Sequence, residues 1–180
     1  MEIIKSHIPD VLVIKPKIFE DPRGYFYESF NAAIFKQHGV DVTFVQDNQS
    51  LSQKNVLRGL HFQSPPHAQG KLVRVIKGAV LDVVVDIRKN SPTYGEHFAL
   101  ELNEKNKTQL WVPEGFAHGF LTLEDNTIFS YKCSNYYNKP SEDCILWNDK
   151  DIGIKWGVNE PLLSEKDKVG KPLKEFKSPF

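Results

Sequence analysis

The sequence predicts an all-β fold, an antiparallel sandwich or barrel with few and short helices. Two observations carry that expectation. Runs rich in β-branched and aromatic residues recur about every ten residues through the middle of the chain, separated by turn-forming clusters. Helical periodicity is nearly absent. A length of 180 residues with 40% apolar content fits one domain spanning 1–180.

Taken in order, Phe30–His38 (FNAAIFKQH), stopped by Gly39, is the helix candidate. Val42–Gln49 and Val56–Gln63 follow as strands. Leu72–Ile87 is rich in Val and Ile on both sides of Lys77-Gly78, which predicts a hairpin there. His97–Leu102, Thr108–Val112, Phe116–Leu123 and Thr127–Cys133 complete the strands. Ser91-Pro92-Thr93, Asn103–Lys107, Pro113-Glu114-Gly115 and Glu124-Asp125-Asn126 supply turn chemistry between them. A turn around Ser164–Asp167 precedes a Lys- and Pro-rich tail, whose outer part (168–180) is expected to be mobile.

Lys plus Arg is 23 and Asp plus Glu is 23, a net charge of zero. That balance argues against a generic nucleic-acid binder, which carries a basic surplus, but leaves room for a local cationic pocket. Two cysteines, Cys133 and Cys144, are too few for a disulfide framework and read as reduced, partly buried thiols. The N-terminus has no apolar signal region and no run of 18 apolar residues occurs, so a soluble, cytoplasmic protein with no membrane partner is expected.

Pleat alternation decides which polar side chains face inward. His118 shares a strand face with Phe116 and Phe120, Tyr131 with Phe129 and Cys133, and Lys71 with Val73 and Val75. His61 shares one with Leu57 and Gly59. Each has a bland alternative: a hydrogen-bonded core histidine, a packing tyrosine, a lysine reaching to water. Four such residues on inward faces are better explained by one wet ligand pocket. Arg58 lies three residues before His61, so a regular strand would oppose the two. A bulge at Gly59 would bring them together; otherwise Arg58 serves another surface, such as a subunit contact. Metal binding is the rival for inward histidines. His61-Phe62-Gln63 lacks the second ligand of an HxH pair, His67 sits in a Pro-rich turn and His118 stands alone, so no metal is expected.

Six motifs occur in register: Arg58-Gly-Leu-His-Phe-Gln63, Gln69-Gly-Lys-Leu-Val-Arg74, Asp82-Val-Val-Val-Asp-Ile-Arg88, Ser91-Pro-Thr-Tyr-Gly95, Pro113-Glu-Gly-Phe-Ala-His-Gly-Phe120 and Leu163-Ser-Glu-Lys-Asp167. Together they resemble the dTDP-4-dehydrorhamnose 3,5-epimerase family of deoxysugar-nucleotide epimerases, from Pro9-Asp10 to Asp167. The resemblance implies a cupin-like jelly roll, a homodimer, a dTDP-linked sugar substrate and no metal or redox cofactor. It implies His61 as general base, Asp167 as its carboxylate partner, Tyr131 as general acid and Lys71 at the sugar ketone. It further implies substrate contacts from Arg23, Glu28, Gln46, Asp47, Asn48, Arg58, His118, Glu142 and Lys166, with one aromatic of the pair Tyr136-Tyr137, Tyr137 being favoured, stacking on the base. Gln49 departs from the pattern, where relatives often carry His. Other outcomes of the same chemistry are inversion at C3 or C5 alone, or another nucleotide sugar. Outside that chemistry stand a non-catalytic sugar-binding jelly roll and a metal-dependent cupin.

Overall fold

The computed structural model describes residues 1–180. In chain order the strands are β1 (Glu2–Lys5), β2 (Leu12–Lys15), β3 (Ile18–Asp21), β4 (Gly24–Tyr27), β5 (Gln46–Ser52), β6 (Leu57–Gln63) and β7 (Lys71–Lys77). They continue as β8 (Ala79–Asp86), β9 (His97–Asn103), β10 (Gln109–Val112), β11 (Phe116–Thr122), β12 (Thr127–Cys133) and β13 (Glu142–Cys144). A six-stranded sheet runs β1-β2-β10-β7-β12-β5, and a five-stranded sheet runs β13-β6-β11-β8-β9. Every ladder within them is antiparallel. β3 and β4 form a separate hairpin.

The all-β expectation holds, with a cupin-like arrangement of two facing sheets. Between the sheets lies a core built from both, including Val73, Val75 and Phe129 on one side and Val80, Val84, Phe116 and Phe120 on the other. Each such side chain fully withdrawn from water is worth about 1.5–3 kcal/mol. That fixes strand phase, because a one-residue slip would expose these residues and turn His118 and Tyr131 outward. The outer face of the five-stranded sheet carries a second cluster around Leu57, Leu60, Val83 and Ala117, covered by Ile152, Trp156 and Phe176 of the C-terminal segment. The outer face of the six-stranded sheet is covered through Phe35 of the one α-helix, α1 (Ala32–Gln37). The Asn31 side chain caps α1 by accepting from Ala33 and Ile34 N–H. No helix is long and apolar enough to cross a membrane.

The expected hairpin at Lys77-Gly78 is a corner instead: β7 belongs to one sheet and β8 to the other. Gly78 has φ +79°, and a Cβ there would lie 2.3 Å from Thr127 Oγ1, so only glycine passes between the sheets at this point. The strand expected over Val42–Gln49 is displaced to β5, Gln46–Ser52. β1 to β4 were not expected from the sequence; each is only four residues long, and β1, β2 and β3 carry Lys or acidic residues that break the apolar run.

The bulge at Gly59 is present. His61 opposes His118 and Arg58 opposes Phe120, so three steps along β6 match two along β11. Gly59 has φ +142°, and a Cβ would sit 2.4 Å from Gly119 Cα. The bulge lets Arg58 and His61 share a face. It also reverses the phase of Leu57, which packs in the outer cluster rather than beside His61 as alternation predicts.

The C-terminal segment is fastened on both sides of Asp167. Leu162 bridges Val56 and Lys171 bridges Ile145, both parallel. Beyond it the tail lies against the sheet: Phe176 packs on Phe62 with ring centroids 5.3 Å apart, and Leu173 N–H donates to the buried Asp149 carboxylate at 2.7 Å.

Candidate active site

A cavity of about 350 Å³ opens between the sheets. The five-stranded sheet contributes Arg58, His61, His118 and Glu142, and the six-stranded sheet contributes Asn48, Ser50, Lys71 and Tyr131. The C-terminal strap contributes Ser164, Lys166 and Asp167. Thus His61, Tyr131, Lys71, Asp167, His118, Arg58, Asn48, Glu142 and Lys166, expected as site residues, meet at one cavity. Gln46 and Tyr137 stand at its rim: Gln46 Oε1 accepts from Tyr137 N–H at 2.9 Å, and the Tyr137 hydroxyl donates to Glu142 at 3.1 Å. The Tyr137 side chain stays 54% exposed.

Three expected contacts are not brought to this cavity by this chain. Asp47 lies on the opposite face of β5 from Gln46 and Asn48, as alternation requires, and pairs with Lys132 at 3.0 Å. Arg23 sits in the β3–β4 hairpin, paired with Asp21 at 2.5 Å. Glu28 follows that hairpin, exposed, and accepts from Asn31 at 3.1 Å.

His61 Nε2 is hydrogen-bonded to Asp167 Oδ1, which leaves Nδ1 for a ligand. Asp167 Oδ2 accepts from the Ser164 hydroxyl at 2.7 Å, so both carboxylate oxygens are held. Burial pushes the His61 pKa below its ordinary value, and the Asp167 carboxylate only partly restores it. The imidazole is therefore neutral near pH 7 and able to accept a proton. Burial would raise Asp167, but the bonds from His61 and Ser164 outweigh it and keep the carboxyl below its usual range.

Lys71 forms no ion pair. Burial lowers its pKa, opposed by Cys133, Glu142 and Asp82. Such a desolvated cation has unused capacity to meet negative charge. The Tyr131 hydroxyl is pushed up to about 12 by burial, so it holds its proton at ordinary pH. Glu142 is raised by burial, but Lys166 at 2.7 Å and the Tyr137 hydroxyl hold it low.

Sequence reasoning missed Asp82, Ser164 and Ser50. Asp82 is fully buried and both its oxygens lie 3.0 Å from His118 Nε2. The signal was available, since Asp82 falls on the same face of β8 as Val80 and Val84. The Ser50 hydroxyl is buried at the cavity wall without a hydrogen-bond partner. Cys133 and Cys144 are both free and buried.

The geometry has close counterparts. The sequence profile of the dTDP-4-dehydrorhamnose 3,5-epimerase family matches residues 5–175. A dTDP-4-dehydrorhamnose 3,5-epimerase from Shigella flexneri is 57% identical over 168 residues, covering 93% of each chain. A solved dTDP-6-deoxy-D-glucose-3,5-epimerase from Legionella pneumophila, in complex with dTDP-4-keto-L-rhamnose, superposes with TM-score 0.94 at 47% identity, covering 98% of this chain and 94% of that one. A Bacillus anthracis dTDP-4-dehydrorhamnose 3,5-epimerase with TDP and PPi bound gives TM-score 0.92 at 44% identity, covering 95% and 98%.

Proposed function

The chain belongs to the dTDP-4-dehydrorhamnose 3,5-epimerase family, and we propose that it inverts C3 and C5 of dTDP-4-dehydro-6-deoxy-D-glucose to give dTDP-4-dehydro-L-rhamnose. The observation that carries the reading is the division of roles between the sheets. A neutral imidazole fixed by a carboxylate projects from β6, and a protonated phenol projects from β12 across the cavity.

Both carbons lie beside the C4 ketone. His61 Nδ1 takes the proton, and the electron pair moves into an enolate whose charge collects on the C4 oxygen. Lys71 meets charge that develops only along the reaction, which lowers the barrier rather than merely tightening binding. Asp167 fixes the tautomer of His61 and stabilises the imidazolium that forms. Tyr131 returns a proton from the opposite face, inverting the centre. His118, held by Asp82, presents a further polar group beside the ketone. No electrons are gained or lost, so proton transfers suffice. Arg58 and Lys166 suit the diphosphate, and the exposed Tyr137 ring suits a stacked base. The net charge of zero thus conceals a local gathering of Arg58, Lys71 and Lys166 around one cavity.

An NMR product assay tests the reaction. With dTDP-4-dehydro-6-deoxy-D-glucose in D₂O, deuterium is expected at both C3 and C5 and the product is the L-rhamno sugar. Label at one carbon only would replace this reading with a single-position epimerase. Binding without any exchange would make the protein a sugar-binding module.

The resemblance also implies a homodimer, and the β3–β4 hairpin supports it. Phe19, Tyr25 and Phe26 on that hairpin are 54%, 57% and 71% exposed, while Arg23 and Glu28 lie outside this chain's own cavity. A second copy would cover the aromatic patch and receive those charged residues over its cavity. Sedimentation is expected to give twice the 20.6 kDa chain mass, and Phe26→Asp to give a monomer with weakened substrate binding. A wild-type monomer of full activity would overturn it.

A further inference from the structure

We propose that His61, Asp167 and Cys144 form a site for a thiophilic divalent cation, zinc being the type case, whose occupancy blocks the epimerase. Potential ligand atoms of the three side chains all lie within 4.8 Å of one another. The cluster is built by three separate connections, which hid it from the sequence. Cys144 is the cross-strand partner of His61 in the β13–β6 ladder. Asp167 arrives on the strap, fixed by the Leu162 and Lys171 bridges.

The donor set fits the metal. Imidazole, thiolate and carboxylate are all zinc ligands, at about 2.0–2.3 Å from the ion. Tetrahedral geometry then places donors roughly 3.3–3.8 Å apart, so side-chain rotations of about 1 Å close the site. One thiolate and one carboxylate neutralise the two charges of the ion. Lys166, the nearest cation on the strap, already pairs with Glu142 at 2.7 Å. Three protein donors leave the fourth position of a tetrahedral ion to a water molecule. A thiol keeps its proton near neutral pH, so the site forms when a soft cation displaces that proton. Magnesium, a hard ion that keeps its water, lacks that ability.

The protons balance as follows. The ion takes the Nε2 lone pair, and the hydrogen that Nε2 shared with Asp167 moves to Nδ1. Cys144 releases one proton to solvent. Nδ1 then carries a hydrogen and cannot accept another from substrate. The site itself stands on geometry; the inhibition rests on His61 being the base.

Zinc chloride added to the wild-type enzyme is expected to abolish exchange and product formation, with EDTA restoring both and magnesium chloride having no effect. Calorimetry in buffers of different ionisation enthalpy should show one proton released per zinc bound. Cys144 is outside the catalytic machinery, so Cys144→Ser and Cys144→Ala should keep basal activity. Both should need about 10- to 100-fold more zinc for half-inhibition. Inhibition at the wild-type zinc concentration in both variants would overturn the site. Cys144-dependent binding that leaves exchange untouched would uphold the site and overturn His61 as the base.

Discussion

His61→Asn is expected to remove solvent-deuterium exchange at C3 and C5 together, lowering the rate by 10²- to 10⁴-fold, or about 3–5 kcal/mol of transition-state stabilisation. Asparagine keeps most of the side-chain volume and can still donate to Asp167, so the strap and the β6 bulge should survive; an unchanged melting temperature would show that. What it lacks is a nitrogen that can take a proton near neutral pH. Exchange is the right readout because it reports the first proton abstraction whether or not inversion follows. The wild-type pH profile provides a second check. Burial sets the folded pKa of His61 below 6.5, and the neutral form is the active one. Activity should therefore persist as pH falls past 6.5 and be lost only as pH drops through the lower, folded value. An acid limb centred above 6.5, or exchange at the wild-type rate in His61→Asn, would assign the base elsewhere.

Much of this site was legible because a strand's period of two converts sequence position into direction. Lys71, His118 and Tyr131 each share a face with core residues, and the core then fixes that face inward. Where the period breaks, legibility depends on recognising the break. Gly59 signals a bulge that unites Arg58 with His61, yet the same bulge sends Leu57 to the other side of the sheet. Gly78 is a turn signal, but a glycine that closes a hairpin and one that carries the chain between sheets look alike locally. Only the ladder partners of β7 and β8, all elsewhere, distinguish them. Asp167 is 106 residues from His61, and no periodicity spans that distance, so its place came from motif resemblance. Asp47 shows the limit of that route, because a motif reports which residues occur together and alternation reports where they point. Arg23 and Glu28 show another, since residues that the proposed dimer would place over a second copy's cavity have no visible target within one chain.

Tyr131→Phe is expected to separate the two proton transfers that His61→Asn removes together. Deuterium exchange should continue near the wild-type rate while inverted product falls by 10²- to 10⁴-fold. Tyr131 comes from the sheet facing the one that carries His61, so losing its hydroxyl deprives only one face of the sugar. The enolate, still stabilised by Lys71, is then reprotonated by His61 on the face it left, which washes in label without inversion. Burial holds the phenol at about 12, which keeps the proton in place but makes it a weak acid. Arg58 and Asn48 counter this shift and favour the phenolate that the transfer leaves behind. The same environment predicts which group shuts the enzyme off in alkali. Lys71 is depressed below 10.5 by burial whereas Tyr131 is raised, so lysine titrates first and the alkaline limb falls below 10.5. That limb should remain in the residual exchange of Tyr131→Phe, because the group responsible is still present. Inversion at the wild-type rate in the variant would show that the second proton comes from another donor.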